Sequence, residues 1–149
     1  MSTPEERVLM SKNVDMIIAK ACNRNPDAER YLHDMAWSNR IIDDLYDGDV
    51  PVSKEDIEKV FWIIAIEIPN NPFYVNYRQA LMTQYIIIYN AWMDANRWEN
   101  DENKKKKICS HFIKEYIGEL IPLVAYLTGG TVHMRNISLM ARELFLKEF

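Results

Sequence analysis

Helix-start signatures recur down this chain, and they constrain its fold more than any other feature. Thr3-Pro4-Glu5-Glu6 is a capping box with proline at the first helical position, where the missing N–H costs nothing. Asn25-Pro26-Asp27 repeats the signal. Ser53 stands three residues before Asp56, with Val52 and Ile57 placed as a hydrophobic staple, and Asn71-Pro72 opens a fourth element. Between these starts the apolar residues fall at helical spacing. Met10, Val14, Ile17, Ile18 and Ala21 share one face of the first helix, and Tyr31, Met35, Ile42 and Leu45 share one face of the second.

The stops are as regular. Asp47-Gly48-Asp49 ends the second helix, Ile68-Pro69 the third and Glu99–Asn103 the fourth. A fifth helix is expected to present Ile108, Phe112, Tyr116, Leu120 and Leu127 to the core. Pro122 should kink it, because proline cannot bond the carbonyl of Gly118. Thr128-Gly129-Gly130 closes it, and Ile137, Met140, Leu144 and Phe145 mark a last helix. The isoleucine-rich segments Phe61–Ile68 and Tyr85–Tyr89 also suit buried strands. The unbroken stretch from Phe73 to Trp98 is too long for one. The expectation is an all-α bundle of about six helices forming one domain over residues 1–149, with no linker or repeat to divide it.

Composition narrows what such a bundle can do. With 48% hydrophobic and 27% charged residues the chain can bury a core. Its four glycines admit neither a P-loop nor a dinucleotide-binding fingerprint. Two cysteines without a CxxC pair argue against a disulfide framework or structural zinc. The start MSTPEERV is acidic where a secretory leader is basic, and the longest apolar runs fall far short of a membrane span. An intracellular, cytoplasmic setting without a membrane partner is therefore expected. Ile, Asn, Lys and Tyr are abundant, as in the AT-rich genomes that many phages carry.

One acidic constellation could carry chemistry. In Asp43-Asp44-Leu45-Tyr46-Asp47, Asp43 and Asp47 stand one helical turn apart, so both carboxylates project from the same face. Paired carboxylates suit a hard cation such as Mg²⁺, which retains waters and can bridge to a diphosphate. Asp94 and Glu67 sit in apolar company and are weaker candidates to complete the shell, with Arg40 or Arg78 facing a phosphate. The DDxxD pattern resembles the first aspartate-rich motif of trans-isoprenyl diphosphate synthases, an all-α family. The resemblance implies Mg²⁺ binding by Asp43, Asp44 and Asp47. It covers five residues: this chain has no second DDxxD, has Val50-Pro51-Val52-Ser53 where the family places arginines, and is about half the family's usual length. As plain protein chemistry the same acids form a solvated helix end, with Arg40 and Asp44 as an i,i+4 pair.

Other motifs are incomplete. An EF-hand register through Asp47-Gly48-Asp49 would put Leu45 and Val50 at the first ligand and the glycine turn. His33-Asp34 lacks the further upstream histidine of an HD phosphohydrolase, and no GxSxG or HExxH occurs. Lys104–Lys107 is the one basic block, and neighbouring acids and a net charge of −4 argue against nucleic acid as a partner.

The fourth helix is apolar on most sides, with Tyr77, Leu81, Tyr85, Ile88, Tyr89 and Trp92 on one face and Ile86, Ile87 and Met93 around it. Apolar residues continue to Phe149. Surplus apolar helix surface without a complete catalytic set favours a protein that acts by association, as a homo-oligomer or a subunit of a larger assembly. The alternative is a small Mg²⁺-dependent enzyme acting on a diphosphate or nucleotide.

Overall fold

A computed structural model describes residues 3–146, and among them the regular structure is helical throughout with no strand. The all-α expectation holds. Helix α1 spans Pro4–Ala21, α2 Pro26–Asp47, α3 Lys54–Trp62, α4 Ile68–Asn70, α5 Pro72–Trp98, α6 Lys104–Lys114 and α7 Leu120–Leu146. A π turn over Ile63–Glu67 joins α3 to α4, and a 3₁₀ turn over Glu115–Glu119 joins α6 to α7.

The helix starts form as their sequences dictate. Thr3 and Glu6 make a reciprocal capping box: the Glu6 amide donates to Thr3 Oγ1 at 3.1 Å and the Thr3 amide to Glu6 Oε2 at 2.8 Å. Asn25 Oδ1 accepts from the Ala28 amide, and Ser53 Oγ from the Asp56 amide. Asn71 does more than cap. Its buried Oδ1 accepts from the amides of Phe73 and Tyr74, while its Nδ2 donates to the Asp27 carbonyl at 2.9 Å. One side chain thereby pins the start of α5 to the start of α2. Gly48 ends α2 in the left-handed conformation, where glycine meets no side-chain penalty.

Proline leaves its mark before it rather than after it. The third helix does not stop at Ile68-Pro69 but runs on to Asn70 through the widened turn. That turn makes room for a ring that would otherwise crowd the carbonyl four residues back. Pro122 acts in the same way: the turn ahead of it tightens to 3₁₀ and includes Gly118, whose carbonyl the proline cannot engage. In α7 the helix breaks at Gly130, with φ 84° and ψ −172°. The break lets α7 bind the end of α1. Thr128 Oγ1 donates to the Ala21 carbonyl at 3.0 Å, His133 Nε2 lies 3.0 Å from the same oxygen, and Asn23 Nδ2 donates back to the Thr128 carbonyl.

The core gathers Ile17, Ile18, Tyr31, Leu32, Leu81, Ile88, Leu120, Val124 and Ile137 from α1, α2, α5 and α7. Tyr31 stacks on Tyr74 and lies against Phe73, joining α2 to α5. Cys22 is buried among these residues, and burial, with Glu29 nearby, pushes its thiol up to about 12.

One expectation about the core is overturned. Ile108, Phe112 and Tyr116 do not face inward: they are 57%, 54% and 41% exposed. Along α6 and the 3₁₀ turn after it, Ser110 is buried and Lys114 and Ile117 are half-buried instead, and of the expected face only Leu120 is fully buried. Periodicity locates a stripe on a helix but does not say which body the stripe faces. Phe149, to which the apolar pattern of the last helix continues, lies outside the described residues.

Candidate functional site

The acidic motif folds around a lysine. Asp43 and Asp47, one turn apart on the last turns of α2, flank Lys114 from the end of α6, and Glu99 closes the group from the turn after α5. Lys114 Nζ lies 3.4 Å from Asp43 Oδ1, 3.1 Å from Asp47 Oδ2 and 3.0 Å from Glu99 Oε2. Asp43 Oδ1 also accepts the indole N–H of Trp92 at 3.0 Å, and Trp92 packs edge-on against Tyr46 and stacks on Tyr89. The group is half-buried, with the lysine side chain 18% exposed.

Electrostatics follow from that geometry. Burial works against the charge on Lys114, but the hydrogen bonds to Glu99 and Asp47 and the nearby Asp43 carry its pKa above the ordinary lysine value. Desolvation raises the Asp47 carboxyl, the Lys114 bond opposes it, and Asp43 and Glu99 add to the rise. Three carboxylates around one ammonium leave excess negative charge, which the half-open setting screens.

The other candidates disperse. Asp44 makes no ion pair with Lys114: desolvation and Asp43 raise its pKa while Arg40 and Arg7 oppose the rise. Glu67, in the π turn, accepts the indole N–H of Trp62 at 2.8 Å. Its electrostatic neighbour on α2 is Asp34, more than two turns before Asp43. Asp94 is exposed on α5. Lys114 is thus met by Asp43, Asp47 and Glu99, and among the described residues it makes no ion pair with Asp44, Glu67 or Asp94. Among the described residues no group of three or more His, Cys, Asp or Glu side chains is arranged to hold a metal ion. His33 Nδ1 sits 3.6 Å from Asp15 on α1, away from the acidic end.

The lysine block begins α6, where Asn103 caps it by accepting from the amides of Lys105 and Lys106. Lys106 pairs with Asp101 at 3.4 Å and lies over the Trp98 ring. Sequence reasoning passed over Lys114 and Glu99. The one local signal was a lone cation inside a mostly apolar stretch, since Asp47 is 67 residues away.

The second feature is a surface. From Gln79 to Met93, fifteen consecutive residues of α5 carry no charge. Leu81, Ile88, Ala91 and Ala95 are buried by α5's neighbours, yet Met82, Ile86, Tyr89 and Met93 on the flank are 41%, 63%, 49% and 39% exposed. Their spacing of four, three and four is the stripe that one straight helix presents to another. The non-helical backbone at Tyr77 marks its lower end.

Comparison of the chain with protein-family models, with curated proteins and with solved structures finds no match. Among the described residues no helix is long and apolar enough to cross a membrane.

Proposed function

We propose that this protein acts by association with other protein, as a homo-oligomer or a subunit of a larger assembly, and that the uncharged flank of α5 is where it docks. The observation that carries this reading is the fifteen-residue window without charge on a helix whose flank stays exposed. A helix flank meant for water carries charged residues, because unpaired apolar surface costs about 25 cal/mol for each Å² left in water. The outward stripe of α6 adds to the same surplus.

The alternative, a Mg²⁺-dependent reaction at Asp43 and Asp47, would require a divalent cation to displace an ammonium that already meets both carboxylates. Association needs no rearrangement. Nor does the reading use nucleic acid: Lys106 is taken up by Asp101 and Trp98, and the chain carries net negative charge.

Sedimentation velocity across a hundredfold dilution tests the proposal. A mass above the 17.6 kDa of one chain, falling toward it on dilution, is the expected result. A single-chain mass at every concentration contradicts self-association and leaves the reading dependent on a heterologous partner.

A further inference from the structure

The outward stripe of α6 is not apolar alone. We propose that it docks an amphipathic helix of another protein, one whose apolar stripe is flanked by Asp or Glu. This extends the association reading from the uncharged flank of α5 to a second, charged surface with a partner of its own chemistry.

The helix itself lays out the face. Ser110 is 1% exposed and stands two residues, about 200° of helix, from both Ile108 and Phe112, which therefore crest the opposite side. Tyr116 continues the spacing of four into the 3₁₀ turn. Lys104 and Lys105 lie one turn before Ile108 on that side, and Lys107 and His111 run along its flank, all four exposed. Lys106 is paired with Asp101, whereas Lys104, Lys105 and Lys107 make no ion pair among the described residues.

Charge complementarity names the occupant. The lysine block stands in the first turn of α6, at the positive end of the helix dipole, where α1, α2 and α3 carry acids. That placement opposes the helix, and it leaves three ammonium groups bordering exposed apolar side chains. A partner helix with Asp or Glu beside its apolar positions answers both, as flanking charges do where two helices pair. A lipid surface or nucleic acid would set dense phosphate against Asp101 and Glu102 at the same helix end, on a chain of net charge −4. A helix offers its carboxylates singly, over the lysines.

Fluorescence anisotropy of a labelled three-heptad peptide, with leucine at its core positions and glutamate at the flanking ones, tests this against the full chain. The same peptide with lysine in place of glutamate is the control. The glutamate peptide is expected to bind saturably and to weaken as salt rises, and the lysine peptide not to bind. Lys104→Glu/Lys105→Glu/Lys107→Glu puts acids at a helix start and should fold. It is expected to weaken the glutamate peptide about tenfold and to admit the lysine peptide. Ile108→Ser, checked by circular dichroism, should weaken the glutamate peptide as well. No binding, or binding that the charge reversal leaves unchanged, overturns the proposal. So does binding to phosphatidylserine vesicles in place of the peptide. A wild-type assembly that the charge reversal alone reduces to one chain would put a second copy on this face and also overturn it. Sedimentation of the wild type reports separately on self-association. No peptide binding with a mass above one chain overturns this inference alone, and peptide binding by a one-chain protein supports it without self-association.

Discussion

Lys114 Nζ and Asp47 Oδ2 lie 3.1 Å apart across 67 residues of sequence, tying the end of α6 to the end of α2. Glu99 on the same ammonium brings in the turn after α5, so one side chain holds three helix ends. Lys114→Met leaves three carboxylates facing one another and is expected to cost about 1–3 kcal/mol, the loss for breaking a buried pair reduced for partial exposure. Urea unfolding measures it. Adding Asp47→Asn to Lys114→Met should recover part of the loss, since the double change removes one of the repelling charges. Equal stability of Lys114→Met and the wild type would contradict the role given to this lysine.

The pH response has a sign that the geometry dictates. Desolvation, then Glu67, raises the Asp34 carboxyl against the pull of Arg30, Lys59 and His33. A carboxyl whose folded pKa is raised binds its proton more readily in the folded state. Its ionisation therefore lowers stability as pH rises through that pKa. Asp34→Asn should be more stable than the wild type at pH 7 by a few tenths to about 1 kcal/mol, with the gap closing as pH falls toward 4. Lys114 runs the other way. Its raised pKa makes its contribution complete below the ordinary lysine value and lost as pH climbs past about 10.5 toward the folded-state value. Thermal unfolding of wild type and variant from pH 4 to 7 checks the Asp34 prediction, and a gap that widens toward pH 4 would refute it.

Gly130 is the break in α7, and its φ of 84° with ψ near 180° is a backbone region that essentially only glycine occupies. Space is not the obstacle, because nothing lies within 4 Å of where a Cβ would stand. Gly130→Ala should therefore cost about 1–3 kcal/mol through backbone strain alone. Gly129→Ala fails for a different reason: its Cβ would meet the His133 ring at 2.5 Å and push it from the Ala21 carbonyl. Denaturant unfolding of the first, and amide exchange at the end of α1 in the second, separate strain from lost latching.

What could be read from sequence divides along a physical line. Local chemistry was legible. Thr3, Asn25, Ser53 and Asn71 cap helices where their neighbours said they would, and Gly48 ends α2, because a cap is decided within four residues. Relations between helices were not. The Ile108–Phe112–Tyr116 stripe was correctly helical and assigned to the wrong side, since orientation depends on which helix packs behind it. The pairing of Asp43 with Asp47 was visible in their spacing. That a lysine from α6 would fill the space between them was not, because such a contact is set by tertiary packing.

Lys114 also governs how the acidic motif should answer to metal. With an ammonium already against Asp43 and Asp47, Mg²⁺ up to millimolar concentration should leave both the thermal midpoint and the tryptophan emission of the wild type unchanged. Trp92 is a built-in reporter, since its indole N–H donates to Asp43 itself. A saturable change in emission that Asp43→Asn abolishes would instead assign a cation to this site.

The central claim is that the uncharged flank of α5 is an interface. Light scattering of the wild type beside Ile86→Asp tests it most directly, because Ile86 is 63% exposed and a change there should disturb no core. The account predicts a mass above one chain for the wild type and a one-chain mass for Ile86→Asp, with the helical circular dichroism unchanged. An assembly above one chain that Ile86→Asp leaves intact would contradict it.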